Sequence, residues 1–409
     1  MKQNVSKGAL TISRRVTRST TTLDRNSLTL PIEVVTEIFL RLPLKSIARC
    51  RCVCKLWSSM FRSQDFTELF LTKSCARPQL LFACFDRSVI KFIFFSSPQP
   101  ENPEENSNVV ATNHLAGFRL SNELSGPTNG FFCYEANRIF KGMKDPVFDT
   151  VVCNPSTGQS LTLPRLKSSG RYGAQSYLGY DPIGKEFKVL SMVRLLVSGE
   201  WISVDHQVLT LGTKNLAWRS VECCVPHSYS PKGICISGVL YYTTSVYISS
   251  WGSMVACFDL RTEKFSFVKL METFNRAMHC STTLVNFSGK LGLIVVRDSD
   301  DVCQRNVCQA SKSIELWVLL DAGKREWSKH VYVLPPSWKD VVTGEMYIVG
   351  MVGKSEIVFT PFYQCGPSYV LYFNVERTTI TKVGIQGLEA FHGESFRTYL
   401  NYVQNVKLL

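Results

Sequence analysis

The chain has 409 residues, of which 45% are hydrophobic, so two or three globular domains are expected rather than a disordered chain. The net charge is +13, and residues 1–73, with 13 Lys+Arg against 5 Asp+Glu, hold +8 of it. Nothing beyond residue 73 has the density of basic and aromatic residues typical of a nucleic-acid-binding face, so nucleic acid is not a favoured partner. No apolar run approaches the roughly 18 residues that a membrane-spanning helix needs, and no membrane association is predicted.

Residues 1–26 are rich in Ser, Thr and Arg and contain a single acid, Asp24. This composition predicts a disordered basic tail, although an organellar transit peptide has the same character. The cluster from Arg14 to Arg18 is a weak candidate for nuclear import. Fifteen scattered cysteines without a secretory signal peptide indicate reduced thiols, so the predicted location is the cytoplasm, the nucleus or both.

Residues 30–70 are predicted to form three short helices that carry more apolar surface than they can bury among themselves. Val34, Val35, Ile38, Phe39 and Leu42 recur at helical spacing, and Pro43 ends the first helix. A module below roughly 70–80 residues rarely stabilises itself by its own core. The segment therefore needs a partner surface, which is either another protein or the rest of this chain.

Three motifs in this segment resemble an F-box: LPxE from Leu30 to Glu33, RLPLKSI from Arg41 to Ile47, and CVCKLW from Cys52 to Trp57. The resemblance covers about 45 residues. It implies docking onto a Skp-type adaptor and, through the adaptor, onto a cullin scaffold of a ubiquitin ligase. The adaptor contacts implied by position in the motif are Leu30, Pro31, Ile38, Val53 and Trp57. The alternative is a helical hairpin that packs on the chain's own C-terminal domain.

Residues 78–409 consist of short alternating runs separated by turn residues, which predicts an all-β domain. One hairpin recurs at 151–164, 208–221, 255–268, 317–331 and 370–383. Its turns open at Asn154, Gly212, Asp259, Asp321 and Asn374, with gaps of 58, 47, 62 and 53 residues. A second hairpin type lies between these, at 130–135, 180–192, 238–244, 286–296 and 352–361.

Two hairpins per period of about 55 residues make a four-stranded blade, and such a period is typical of a kelch-type β-propeller. Five blades are visible, and a sixth would combine residues 79–95 with 399–404, closing the ring without an open edge. This region resembles the F-box-associated domain of plant-type F-box proteins. The double glycine of kelch repeats is missing, so a less regular β-structure remains an alternative.

The predicted architecture is therefore α+β in separate domains. A disordered tail (1–26) precedes a three-helix F-box (27–74) and an all-β, six-bladed propeller-like domain (78–409).

No catalytic residue, cofactor or metal is predicted. Gly350 to Ser355 reads GMVGKS, but a strand rather than a helix follows, so this segment is a hairpin turn and not a phosphate loop. Cys50, Cys52 and Cys54 would fan around a helix instead of converging on an ion, and the six histidines lie far apart in the sequence. A propeller enzyme with a site assembled across blades and an RNA-binding propeller remain the alternative functions.

The predicted function is that of a non-catalytic substrate receptor in an SCF-type ubiquitin ligase, with the F-box tethered to the adaptor and the β-domain capturing an unknown target protein. In a propeller, the turns within hairpins share one face, and the connections between hairpins and between blades share the other. Those connections carry large aromatic residues, which are typical binding anchors unless they tuck back into the core. The candidate substrate-binding residues are Trp201, Tyr229, Tyr247, Trp251 and Trp338.

Overall fold

The structure is a computed structural model that describes most of the chain beyond residue 29. The described residues are 30–105, 108–111, 113–118, 124–138, 147–166, 173–197, 200–223, 225–228, 230, 232–246, 252–270, 282–297, 303–304, 306–361, 366–394 and 396–409. The predicted tail (1–26) lies outside them. The chain divides into two compact units, residues 1–42 and 43–409. This division falls within the predicted F-box, and the domain boundaries at 74 and 78 stay a prediction.

The helical region contains four helices rather than three. The first unit holds α1 (Ile32–Phe39), and the second unit begins with α2 (Leu44–Cys50), α3 (Lys55–Arg62) and α4 (Gln64–Cys75). The additional helix begins after Ser63, whose extended backbone ends α3 and whose hydroxyl accepts the backbone N–H of Phe66 at 3.3 Å. No helix among the described residues is long and apolar enough to cross a membrane.

The rest of the second unit is a six-bladed β-propeller, as predicted. Each blade has four main antiparallel strands, ordered from the ring axis outward. Blade 1 contains β26 (Phe396–Tyr402), β1 (Gln79–Asp86), β2 (Lys91–Pro98) and β4 (Asn113–Phe118); blade 2 contains β5 (Ser125–Thr128), β6 (Phe131–Arg138), β7 (Val147–Asn154) and β8 (Gln159–Thr162); blade 3 contains β9 (Ala174–Asp181), β10 (Glu186–Val197), β11 (Glu200–Thr210) and β12 (Arg219–Val221).

The remaining blades follow the same order. Blade 4 contains β13 (Gly233–Ile236), β14 (Val239–Val246), β15 (Gly252–Asp259) and β16 (Lys264–Lys269); blade 5 contains β17 (Thr283–Phe287), β18 (Lys290–Arg297), β20 (Ser313–Asp321) and β21 (Glu326–Val333); blade 6 contains β22 (Met346–Val352), β23 (Glu356–Pro361), β24 (Tyr369–Asn374) and β25 (Thr379–Gln386). Two short strands, β3 (Asn108–Val110) and β19 (Cys303–Gln304), extend blades 6 and 5, and a short helix, α5 (Trp338–Val341), connects these two blades.

The hydrophobic core is divided among the gaps between blades. Each of the six gaps holds its own cluster of buried side chains, so every sheet is covered on both faces. Phe94 and Phe132, for example, meet between blades 1 and 2 with ring centroids 5.7 Å apart. This arrangement explains why a strand such as β1, in which Leu80 to Cys84 are all buried, reads as a continuous apolar run, since burial on both faces removes the alternation of a half-exposed strand.

The turn residues that define the repeat act through their side chains. The carboxylate Oδ1 of Asp259 accepts the backbone N–H groups of Arg261 at 3.0 Å and Thr262 at 2.7 Å. Glu263 then takes a left-handed conformation at φ +56°, which lets the chain reverse into the next strand. Similar side-chain caps occur in the turns that open at Asn154, Asp181, Asp321 and Asn374.

The ring closes through the last strand, as predicted from residues 79–95 and 399–404. β26 pairs antiparallel with β1, so that the C-terminal strand is the innermost strand of the blade that begins the propeller. Tyr402 is completely buried at this seam, where its ring stacks on Phe132 and its hydroxyl lies 2.8 Å from the Ser156 hydroxyl.

We expect Tyr402→Ala to lower the free energy of unfolding by about 3–5 kcal/mol, because it removes a large buried ring and leaves a cavity. Tyr402→Phe should cost only about 1 kcal/mol, the contribution of one hydrogen bond. Urea unfolding measures both. Val333→Ala is the control, since Val333 is 67% exposed; a Tyr402→Ala loss no larger than that of this control would contradict the role of the seam.

Candidate functional site

The first unit presents apolar side chains to solvent around α1. Of the predicted adaptor contacts, Leu30 is 47% exposed, Ile38 is 46% exposed and Pro31 is exposed as well. Ile32 and Val34 are also exposed, although neither was predicted from the sequence to be an adaptor contact. Apolar residues gathered on one short segment are typical of a protein-binding surface.

The second unit places the other two predicted contacts at the beginning of α3. Val53 is 64% exposed, and Leu56 in the next turn is 49% exposed. The thiol of Cys54 caps the helix by accepting the backbone N–H of Trp57 at 3.5 Å. Trp57 itself is half-buried, so part of its ring is already covered within this chain. Val53 is therefore more accessible than Leu30, Ile38 and Trp57 among the predicted adaptor contacts.

Helices α2 to α4 lie at one face of the propeller. We call this the hairpin face: it carries the turns between the first and second and between the third and fourth strands of the blades. Lys185, in the turn between β9 and β10, pairs with Glu68 of α4 at 2.8 Å. Arg51, after α2, donates from Nη2 to the carbonyl oxygen of Val406 at 2.6 Å. Two contacts at separate points hold the helices against this face.

The C-terminal tail, residues 403–409, runs between the helices and blade 2 on the hairpin face. The Asn154 side-chain amide donates to the carbonyl oxygens of Asn405 at 3.0 Å and Lys407 at 3.1 Å. Asn405 in turn donates to the carbonyl oxygen of Asn129 at 2.7 Å and is itself buried. A Cβ on Gly130 would lie 2.6 Å from the Val403 carbonyl oxygen. The tail therefore passes so close to the backbone of Gly130 that only glycine fits at this position. The tail thereby links the helices to the ring.

The opposite face, which we call the connection face, carries the links between second and third strands and between blades. Several aliphatic side chains are exposed at the described parts of this face. Ile90, in the turn between β1 and β2, is 64% exposed, and Leu195 and Leu196 at the end of β10 are 43% and 41% exposed. The sequence analysis considered only aromatic anchors and missed these residues, although a run such as Leu195-Leu196-Val197 ahead of a polar turn is a visible signal.

None of the five predicted aromatic anchors is seen as an exposed side chain in the described residues. Tyr229, Tyr247 and Trp251 lie outside the described residues, and Trp201 is the second residue of β11 but its side chain is not described. Trp338 was expected on an exposed connection, and this expectation is wrong. Its side chain is 1% exposed, packs against Phe359 in the core between blades 5 and 6, and donates from the indole nitrogen to the Cys308 carbonyl oxygen at 2.9 Å. Burial of the large ring removes apolar surface from water, and the indole N–H keeps a hydrogen-bond partner inside the molecule. The buried position is therefore more favourable than an exposed position on a loop.

A cavity of about 370 Å³ opens at the centre of the ring on the hairpin face. It is lined by the ends of inner strands and their turns, including Thr128, Tyr180, Ser237, Asn286 and Asn401, and no charged side chain is among its lining residues. It lies on the face that already carries the helices and the tail.

Side chains with metal-ligand chemistry also converge near the connection face, between blades 3 and 4. Ligand atoms of His206, Cys223 and His227 lie within 4.8 Å of one another. The sequence analysis treated the histidines as dispersed, because residues 206 and 227 come together only when β11 and the following connection fold back.

Comparison with known proteins assigns both parts of the chain. The F-box domain family matches residues 27–69, and the F-box associated beta propeller domain family matches residues 79–403. The chain belongs to the F-box proteins that carry an F-box associated β-propeller. This F-box protein is similar along its whole length to proteins of Arabidopsis thaliana. It is 45% identical over 415 residues to F-box protein DOR, covering 100% of this chain and 99% of that protein. It is 47% identical over 413 residues to F-box protein At5g65850, covering 100% of this chain and 98% of that protein.

The attachment of α2–α4 in this F-box protein can be tested at Arg51. We expect Arg51→Ala to speed amide hydrogen exchange in α2–α4 at least tenfold, because a hydrogen bond from a charged donor contributes roughly 1.5–3 kcal/mol. Exchange in the propeller strands should not change. Glu68→Gln is the control, since it removes only the solvent-exposed pair with Lys185 and should have little effect. Unchanged exchange of α2–α4 in Arg51→Ala would show that the tail does not hold the helices.

Proposed function

We propose that this F-box protein is the substrate receptor of an SCF-type ubiquitin ligase, acting without catalytic residues of its own. The proposal rests on one observation within residues 43–409: the helices and the free connection face lie on opposite sides of the ring. Helices α2–α4 are attached to the hairpin face, apolar side chains at the beginning of α3 stay exposed, and the connection face lies on the opposite side of the ring.

The adaptor contacts follow from the exposed apolar residues in each unit. A Skp-type adaptor would cover Leu30, Pro31 and Ile38 of the first unit and Val53 and Trp57 of the second. Covering such residues on a partner removes apolar area from water, which contributes roughly 25 cal/mol per Å² before the costs of association. The adaptor would in turn link the chain to a cullin scaffold, in the cytoplasm, the nucleus or both.

The rest of the mechanism is positioning. A target held on the propeller brings one of its lysines near a conjugating enzyme bound elsewhere in the complex, which replaces a bimolecular encounter with a local one. Positioning of this kind gains from a stiff link between the adaptor contacts and the target. The hydrogen bond from Arg51 to the Val406 carbonyl oxygen supplies that stiffness for α2–α4.

The connection face is the proposed target-binding surface, because the hairpin face carries the helices and the tail. Ile90, Leu195 and Leu196 contribute exposed apolar area there. Trp201, Tyr229, Tyr247 and Trp251 remain candidates for this surface, whereas the buried Trp338 is left out.

We predict that Val53→Asp weakens binding to a purified Skp-type adaptor at least tenfold, because a charge would have to be buried in an apolar interface. Ile90→Asp is the matched control, since both side chains are 64% exposed and Ile90 lies on the connection face. Ile90 also has φ +53°, a conformation that Asp tolerates better than Ile. Titration calorimetry or surface plasmon resonance gives both affinities. Equal losses in the two variants, or none in Val53→Asp, would refute the assignment.

Target capture should show the reverse pattern. We expect the combination of Ile90→Asp and Leu196→Asp to reduce the set of proteins crosslinked to the receptor in cells, with adaptor binding and melting temperature nearly unchanged. Adding Trp251→Ser should reduce the set further. Val53→Asp should still crosslink to targets while losing the adaptor. Capture that survives the connection-face changes but is lost on mutating the turn at residues 182–185 would place the target on the hairpin face.

A further inference from the structure

His206, Cys223 and His227 form a compact group beside the connection face, and the proposed receptor function gives these three side chains no role. His206 lies on β11, and Cys223 and His227 lie on the connection that follows β12. The backbone sets their positions, because the N–H of Ser203 on β11 donates to the His227 carbonyl oxygen at 2.8 Å. The two imidazole rings stack with centroids 5.2 Å apart.

The spacing of the ligand atoms is close to that of a zinc site. Bond lengths of about 2.0–2.3 Å and tetrahedral angles put two ligand atoms roughly 3.3–3.6 Å apart around Zn²⁺. Cys223 Sγ lies 3.8 Å from His227 Nδ1, and all three ligand atoms lie within 4.8 Å of one another. Zinc binding therefore requires the side chains to bring their ligand atoms closer by up to about 1.2 Å.

Without a metal, the group contains an unsatisfied buried nitrogen. His206 is 7% exposed, and its Nε2 has no hydrogen-bond partner among the described residues.

The surroundings of His227 can hold that ring in a metal-binding tautomer. Its Nε2 lies 2.7 Å from the Tyr242 hydroxyl, which itself lies 3.4 Å from the Met192 sulfur. With Nδ1 on a metal, Nε2–H would donate to Tyr242 and the Tyr242 O–H would donate to Met192, so both contacts are kept. Metal-bound histidines almost always donate their second ring N–H in this way.

Metal binding would break two hydrogen bonds to the carbonyl oxygen of Val225. The Val225 oxygen accepts from His227 Nδ1 at 2.8 Å and from Cys223 Sγ at 3.5 Å. A metal would displace both hydrogens. The His227 proton moves from Nδ1 to Nε2, and the thiol proton is released to solvent, so one proton leaves for each ion bound.

We propose that His206, Cys223 and His227 bind a Zn²⁺ ion that fixes the connection between blades 3 and 4. Two imidazoles and one thiolate suit zinc, and the fourth position is open to water. Cys223 is half-buried, so the ion can enter from the solvent side, while Phe265 and Phe267 pack against the histidine rings on the inner side.

The test is metal binding by the purified, reduced full-length chain after removal of metals. We expect one Zn²⁺ per chain by competition with a chromophoric chelator, release of one proton per ion by calorimetry in buffers of different ionisation enthalpy, and a thiolate-to-metal absorption band with Co²⁺. Cys223→Ser should abolish the Co²⁺ band and weaken Zn²⁺ binding at least tenfold. Cys308→Ser is the matched control, since Cys308 is also half-buried, and should change neither.

Two further measurements separate the site from a folding effect. Tyr242→Phe keeps the buried ring but removes the hydroxyl, and should weaken Zn²⁺ binding about 10–100-fold. Zn²⁺ should also protect Cys223, but not Cys308, from alkylation in the unmodified protein, as read by mass spectrometry. Absence of a Co²⁺ thiolate band, a band that survives Cys223→Ser, or alkylation of Cys223 at the same rate with and without Zn²⁺ would overturn the proposal.

Discussion

The pairing of β26 with β1 is the constraint on which the rest of the second unit depends. Without this pairing, blade 1 would lose its innermost strand and the inner edge of β1 would stay unpaired, and the exposed N–H and C=O groups of such an edge favour aggregation. Here the innermost strand of blade 1 comes from the C-terminus, so closing the ring also brings the last seven residues to the hairpin face. Those residues are where Asn154 and Arg51 find their partners.

Ring closure is thus coupled to the position of α2–α4. Arg51 donates to the backbone of Val406 rather than to a side chain, and Asn154, a repeat-defining turn residue, donates to the backbone on either side of Val406. The three consecutive residues Asn405, Val406 and Lys407 thus contact both the helices and blade 2. These hydrogen bonds from side chains to the tail backbone, which are buried or partly buried, connect α2–α4 to the ring without a flexible linker, which suits the proposed positioning mechanism.

Local signals explain which parts of the fold could be predicted from the sequence. Four turn-opening residues cap their turns with their own side chains: Asn154, Asp259, Asp321 and Asn374. Each hairpin can therefore be recognised from a few neighbouring residues, and the spacing of these turns gives the period. The closing strand could be predicted because an unpaired edge is costly. The fourth helix could not be separated from α3, since it depends on the conformation of one residue, Ser63.

The functional surfaces were less predictable, because they depend on contacts between distant residues. Whether a tryptophan on a connection is an anchor or a core residue is decided by the neighbouring blade: Trp338 fills the gap beside Phe359 and is buried. His206 and His227 are separated by a strand and a connection, and only their packing shows that they form a group. The exposed residues near α1 and α3 could be predicted, because an F-box-like motif and surplus apolar surface occur in the same short segment.

Native-state amide hydrogen exchange at the seam tests the central claim most directly. The paired amides of β26 and β1, around Tyr399 with Leu81 and Arg397 with Ala83, should exchange only through global unfolding. Their opening free energy should equal that of the inner strands of blades 3 and 4. If β26 instead opens locally at a much lower free energy while the rest of the ring stays protected, then the C-terminal strand does not hold the ring together and the account is wrong.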